Sequence, residues 1–346
     1  MFTPKYTITN RLLSQIKQIN KLVFELNQNR FPDIVLMEFE KNARAVSAFA
    51  STSIEGNPLP LTDVKKLLKS KPEFIRNSEK EVLNYNNALL KLNEKLKSSP
   101  VNFSLKLILD IQKQITQKLL PNHQSGHLRQ HPVTVNNPKT RKVVFLSPDA
   151  KDVEKLMKDL INFVRKNKTE IDPLITAGVF HKQIVIIHPF MGGNGRTARL
   201  TTKILLTELG LNTFNLFSFE NYYNQNVSRY FNAVGEQGNY YDLTKKIDFT
   251  NWLEYFTEGI IDELLRVKKL LPTLSFSPDN KLKIYHNKIL EYIKKNNFIT
   301  DRDYAKLVKR AKATRALDFQ KLISLNLIER KGKGKSTYYT LKEIKG

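Results

Sequence analysis

Cysteine is missing from all 346 positions. That excludes disulfides and thiolate-bound metals, and it fits a reducing cytoplasm. Apolar runs are short, and none reaches the roughly 18 residues that a membrane-spanning helix needs. The opening segment, residues 1–13, lacks the basic start and unbroken apolar stretch of a secretory leader. A cytoplasmic location with no membrane partner is therefore expected. Repeats and low-complexity tracts are absent too. Acidic residues are scarce, 33 against 57 lysines and arginines, which leaves a net charge of +24. Such an excess draws nucleic acid, nucleotides or acidic proteins; a lysine-rich proteome would produce the same number with no partner at all. Residues 281–346 hold 18 basic residues against 6 acidic ones, half of the whole excess.

Set against these absences, 40% of the residues are apolar and 26% charged, the balance of a globular chain. The length exceeds what one compact core usually holds, so two or three domains are expected. Helical spacing of apolar residues runs through 9–28 and 32–54, with Pro32 suited to a helix start. A shorter helix follows Leu61-Thr62-Asp63, and others cover 79–98 and 104–119. Ser147 is placed to cap a helix with Pro148 in its first turn, and Val153, Leu156, Met157, Leu160, Ile161 and Val164 share one face of it. Residues 173–187 form a more apolar helix suited to the core, and 195–209 another. Between the helix at 104–119 and the one that starts at Ser147, residues 132–146 carry two β-branched runs around Asn136-Asn137-Pro138, a hairpin pattern whose edges can take up an extended peptide; a plain connecting loop is the alternative. Residues 271–280 have the proline and serine content of a linker. Beyond it, helices at 282–296, 301–310 and 313–325 precede two strands within 327–341 that flank a glycine-lysine tip. That order reads as a winged helix-turn-helix over 281–346. In its third helix, Lys312, Thr314, Arg315 and Gln320 form the polar set, and Ala316, Leu317, Phe319, Leu322 and Ile323 the core face. Lys331, Lys333 and Lys335 mark the wing tip, where phosphate contacts are common.

The densest chemistry lies at 188–199. His188 stands before a glycine-rich turn that opens a helix, and a helix start points unpaired N–H groups and partial positive charge at one spot. Gly193 and Gly195 allow close backbone approach to a ligand. Arg196 and Arg199, three apart on that helix, can fork onto phosphate oxygens. A histidine with an ordinary pKa of about 6.5 is largely free to accept a proton at neutral pH. His181 lies two helical turns before His188, but no HExxH pattern accompanies the pair, so a hydrogen-bonded core histidine is favoured over a metal ligand. His123, His127 and His131 have nothing to organise them.

The string from His188 to Arg199 resembles the Fic signature, HPFx(D/E)GNGRxxR, at His188, Pro189, Phe190, Gly193, Asn194, Gly195, Arg196 and Arg199. The resemblance implies a mainly α fold: a helical catalytic core over 101–270, an N-terminal helical domain over 1–100, and the 132–146 hairpin as a flap that clamps a target protein by strand pairing. It implies transfer of AMP from ATP onto a Ser, Thr or Tyr hydroxyl of that target. His188 would be the general base, while Gly193, Asn194, Gly195, Arg196 and Arg199 would hold the nucleotide. Phe190 would anchor the loop, and Tyr230 would meet the adenine or else simply pack in the core. Family members often dimerise, so a homodimer is a further expectation.

Two features qualify that picture. Gly192 stands where the family has the Asp or Glu that holds Mg²⁺, so the motif supplies no metal ligand; the ion would rest on phosphates and water. Weaker turnover, a different transferred group, or a core that binds nucleotide without turning it over all follow as alternatives. Upstream, Ser51-Thr-Ser-Ile-Glu55-Gly56-Asn57 resembles the family's (S/T)xxxE(G/N) inhibitory motif, in which Ser51, Glu55 and Gly56 would close the site by pairing Glu55 with Arg199. The expectation is an auto-inhibited protein adenylyltransferase. The alternative is a DNA-binding regulator, reading DNA through 312–335, whose core only senses nucleotide.

Overall fold

The computed structural model describes residues 2–28, 33–69, 74–98, 101–136, 142–167, 170–207, 210–211, 215–270, 282–325 and 327–342. The helix start at Pro32, the linker at 271–280 and the turn of the 132–146 hairpin lie outside the described residues. The chain packs as two compact units. One takes residues 1–24 and 43–264, the other 25–42 and 265–346. The boundary expected at residue 100 falls inside the first of these.

The helices expected from periodicity are found: α1 (Asn10–Asn27), α2 (Asp33–Ser53), α3 (Leu61–Lys69), α4 (Asn77–Ser98), α5 (Leu105–Thr116), α6 (Ala150–Lys166), α7 (Pro173–Ile187) and α8 (Asn194–Thr207). The start of α6 differs from its expected place. Asp149 occupies the cap position and Ala150 begins the helix, while the Ser147 hydroxyl is buried without a hydrogen-bond partner. The expected face of α6 is buried except at Leu156, and Phe163 joins it.

Helix α7 is the centre of the first unit. Asp172 caps it by accepting from the Leu174 N–H at 2.8 Å, and Pro173 fills the first turn. Every residue from Leu174 to Ile187 except Val185 is buried, as a helix apolar on all sides requires. It packs between α6 and α8. At Gly178 an added Cβ would lie 2.6 Å from the Leu253 side chain. The missing side chain lets the Trp252 indole N–H reach the Gly178 carbonyl at 2.7 Å. Residues 220–270 contribute α9 (Glu220–Gln225), α10 (Val227–Val234), α11 (Tyr240–Leu243) and α12 (Thr250–Leu270).

The hairpin pairs β1 (Thr134–Asn136) with β2 (Val143–Leu146) in antiparallel register, with a bulge after Val135. A third strand, β3 (Gly238–Asn239), pairs parallel with β2, so β1 forms the sheet edge. Phe145 is the inward side chain at 2% exposure, whereas Val143 and Leu146 are exposed. The sequence pattern showed the hairpin but not its third strand.

The second unit contains α13 (Ile284–Asn296), α14 (Asp301–Leu307), α15 (Lys312–Ser324) and the antiparallel hairpin of β4 (Ile328–Lys331) with β5 (Tyr338–Leu341). Thr300 and Asp303 start α14 with a reciprocal capping box. Tyr339 bridges to Ile299 through two 2.9 Å backbone bonds and stacks on Phe319 at 4.0 Å. Here the expected core face of α15 needs correction. Phe319 and Leu322 are buried, but Ala316 and Leu317 are exposed and Asp318 points inward. Tyr304 donates to the Asp318 carboxylate at 2.8 Å and Arg310 pairs with it at 3.0 Å; these partners offset the cost of burying a charge. Among the described residues no helix is long and apolar enough to cross a membrane.

Candidate active site

The site is built where α7 ends and α8 begins. His188 caps α7 in the left-handed conformation, φ +50°, with its N–H bonded to the Ile184 carbonyl at 3.1 Å. Its Nδ1 lies 3.2 Å from the Val185 carbonyl. A carbonyl only accepts, so Nδ1 carries the hydrogen and Nε2 keeps a free lone pair. Burial holds the ring below the ordinary histidine pKa, against upward pulls from the Val185 bond and from Glu55. At neutral pH His188 is an uncharged base.

Arg129 fixes the chain around it. Its Nε donates to the His188 carbonyl at 2.8 Å, one terminal nitrogen donates to His131 O at 3.0 Å, and the other to Pro148 O. The Arg129 N–H donates to Pro189 O at 2.9 Å. A buried cation thus gathers carbonyls from the end of α7 and from both flanks of the β1–β2 hairpin, where the helix dipole also favours positive charge. Sequence reasoning missed this residue, which lies in a stretch without periodicity or motif.

The loop from Phe190 to Asn194 is closed from inside. The Phe190 N–H donates to Asn194 Oδ1 at 2.9 Å, and Asn194 Nδ2 donates to Phe190 O at 2.8 Å. The Asn194 side chain thus ties both ends of the loop together. Gly193 has φ +76°, and a Cβ there would come within 2.9 Å of Thr116 Cγ2; only glycine suits both constraints. The Gly192 carbonyl accepts from Gln112 Nε2 at 3.1 Å, and a Cβ on Gly192 would face Leu120. For Mg²⁺ the residues do not fit. Position 192 has no carboxylate and its backbone oxygen is engaged. Among the described residues no three His, Asp or Glu gather as a metal site.

The first amides of α8 have no acceptor within the helix, and Glu55 lies beside that end. Its carboxylate lies against Gly195, where a Cβ would collide with Oε1. Arg199, fully buried, donates to Glu55 Oε1 at 2.7 Å, to Ser51 Oγ at 2.7 Å and to Ser51 O at 2.8 Å. Burial pushes the Glu55 carboxyl up, but Arg199 and Arg196 outweigh it and leave the group below the ordinary glutamate value. Burial also works against the Arg199 charge, and Glu55 more than restores it. Arg196 pairs with Glu81 on α4 at 2.5 Å. Gly56 ends α2 at φ +92°, with Gly56 N–H to Ser53 O at 2.9 Å and Asn57 N–H to Thr52 O at 3.1 Å. Those two bonds are a Schellman turn.

Tyr230 is 1% exposed and stacks on Tyr223 at 4.6 Å. Its hydroxyl lies 3.5 Å from Arg199 and 3.0 Å from His181 Nε2. The other His181 nitrogen, Nδ1, is 3.0 Å from Thr202 Oγ1, whose hydrogen goes to Ala198 O. His181 therefore has both nitrogens engaged in the core, and Tyr230 packs beside it while touching Arg199. His127 Nδ1 lies 3.1 Å from Ser125 O, and neither His123 nor His131 joins the site through its ring. The structure thus brings together His188, the 192–195 loop, Arg196, Arg199, Ser51, Glu55 and Gly56.

Residues 102–206 match the Fic/DOC family. Similar curated proteins include "Protein adenylyltransferase Fic" of Nematostella vectensis, 26% identical over 207 residues, or 59% of this chain and 46% of that protein. "Protein adenylyltransferase fic-1" of Caenorhabditis elegans is 29% identical over 167 residues, or 47% of this chain and 31% of that protein. The chain spans about a third to a half of the length of these relatives. Among solved structures, a Fic family protein from Desulfovibrio desulfuricans G20 superposes with a TM-score of 0.68 at 19% identity, covering 100% of both chains. At that identity the likeness concerns the fold.

Proposed function

From the premise that residues 102–206 of this chain are a Fic/DOC family domain, we propose that the protein is an auto-inhibited protein adenylyltransferase. The observation that carries this reading is the placement of Glu55. An internal carboxylate lies against Gly195 at the start of α8 and engages Arg199, a guanidinium suited to a phosphate group. When Glu55 withdraws, the amides of Gly195 and Arg196 and the Arg199 guanidinium face a nucleotide triphosphate. His188 Nε2 takes the proton of a Ser, Thr or Tyr hydroxyl. The oxygen attacks the α-phosphorus, pyrophosphate leaves, and an AMP ester remains on the target. The β1 edge offers backbone groups to the target chain in extended form. A chain free of cysteine suits the reducing cytoplasm proposed for it.

The test is intact-mass spectrometry of wild type and Glu55→Gly after incubation with ATP and Mg²⁺. Glu55→Gly is expected to gain an AMP increment about tenfold or more faster than wild type, the size of one released charge-assisted contact, and His188→Ala should cancel the gain. If neither protein is modified and neither labels another protein with tagged ATP, adenylyl transfer is wrong for this chain.

A second reading rests on Gly192, which withholds the expected metal carboxylate, and on the exposed Lys312, Gln320 and Lys333 of the second unit. On that reading the second unit is a winged helix that binds DNA, and the nucleotide core senses more than it catalyses. Loss of His188 would then leave DNA binding intact.

A further inference from the structure

The Glu81–Arg196 pair belongs to no part of the expected inhibitory motif, yet it holds the second arginine of the site. Glu81 Oε1 is 2.5 Å from Arg196, with both side chains largely buried. Its other oxygen accepts from Asn57 Nδ2 at 2.6 Å. The same Asn57 amide donates to Ser78 O at 2.9 Å, so both of its hydrogens are engaged. Asn57 is also the last residue of the Schellman turn that carries Glu55. One three-residue turn therefore connects the Glu55–Arg199 pair to the Glu81–Arg196 pair. Glu55 also feels the Arg196 charge directly.

We infer that Glu81 is a second inhibitory carboxylate, which competes with nucleotide phosphates for Arg196 and is coupled to Glu55 through Asn57. The inference rests on the nucleotide-site reading above. Two carboxylates face two guanidiniums, so the closed site is electrically balanced. A triphosphate that displaces Glu55 alone meets one free arginine; the other is still neutralised by Glu81. Full engagement needs both cations released, because guanidinium–phosphate forks are the strong contacts here. The turn at 55–57 makes the two releases one motion. If Glu81 merely propped Arg196 in a productive pose, its removal would instead weaken nucleotide binding.

Titration calorimetry of the full chain with a non-hydrolysable ATP analogue separates the two. Four proteins are compared: wild type, Glu55→Gly, Glu81→Gln and the double variant. Glutamine keeps the size of Glu81 and can still accept from Asn57. The double variant is expected to bind about tenfold or more tightly than Glu55→Gly, with the gain shrinking as salt rises. An unchanged or weaker dissociation constant in the double variant overturns the inference while leaving the function reading in place. Absence of binding by all four overturns both. Asn57→Ala, which removes neither charge, should raise affinity in the otherwise wild-type chain, and it carries the test if Glu81→Gln does not fold. No change with Asn57→Ala overturns the coupling.

Discussion

His188 and His181 lie on the same helix-and-cap segment, seven residues apart, and the fold uses them differently. His188 keeps one nitrogen free beside the loop, whereas His181 has both nitrogens engaged among Tyr230, Thr202 and Trp252. Burial pushes His181 well below the ordinary histidine value, with the Arg199 charge adding to it, and burial lowers His188 as well. Both are therefore neutral in the fold over a range where the unfolded chain protonates them. Between their folded values and about 6.5 the unfolded state binds more protons, so stability is complete above that range and falls as pH drops through it. Glu55 acts in a separate window: its lowered pKa contributes stability above the ordinary glutamate value and loses it only in stronger acid. Thermal melting from pH 7.5 to pH 5 should show the histidine loss first. A melting temperature that stays flat across that interval would mean that neither imidazole is held neutral. His188 was legible as the candidate base from its neighbours in the motif, and His181 as a hydrogen-bonded core histidine from the lack of any metal-ligand pattern around it.

At the scale of elements, the α7–loop–α8 turn is stiff because its polar groups are closed on one another and on Arg129. Lysine at 129 would retain the charge, but one ammonium on a flexible stem does not span carbonyls at 131, 148 and 188. Arg129→Lys should therefore lower unfolding free energy by about 2–3 kcal/mol, the scale of lost buried bonds to a charged donor. On the proposed function it should also slow adenylyl transfer in the Glu55→Gly background. Denaturant unfolding together with the mass-spectrometric assay checks this, and wild-type values in both would remove Arg129 from the account. Its role had no trace in the sequence, since a lone arginine in an irregular stretch carries no periodicity. Long helices did leave such a trace: α1, α2, α4 and α7 were found within a few residues of their pattern. Elements that depend on tertiary partners did not. β3 has two residues and exists only by pairing with β2, and α6 begins two residues after its proline, with Asp149 at the cap. The inward turn of Asp318 on α15 depends on Tyr304, Arg310 and His286 converging there, which helical periodicity, reading only apolar faces, does not see.

For the molecule as a whole, charge and family likeness fall on different stretches. The Fic/DOC match covers 102–206, while half of the net positive charge is carried by 281–346. Raw charge overstates what is free to meet a partner. Arg315 pairs with Asp301 at 2.8 Å, Arg310 with Asp318 at 3.0 Å and Lys331 with Glu329 at 3.0 Å. Arg315, expected in the polar set of α15, is engaged by Asp301, and Leu317, expected on its core face, is 62% exposed. Lys312 and Gln320 on α15 and Lys333 on the hairpin tip remain exposed; the Lys335 side chain lies outside the described residues. An exposed helix face of small, apolar and amide side chains beside lysines suits base edges flanked by phosphates. On the DNA reading, fluorescence anisotropy of the full chain with a short labelled duplex should show binding that weakens steeply between low and moderate salt. A Lys312→Glu, Lys333→Glu variant should bind more weakly at every salt concentration and with a salt slope reduced by about 2, one unit for each phosphate contact removed. Equal slopes for the variant and the wild type would show these lysines to be solvated surface, and the charge of the second unit would then need a partner other than duplex DNA.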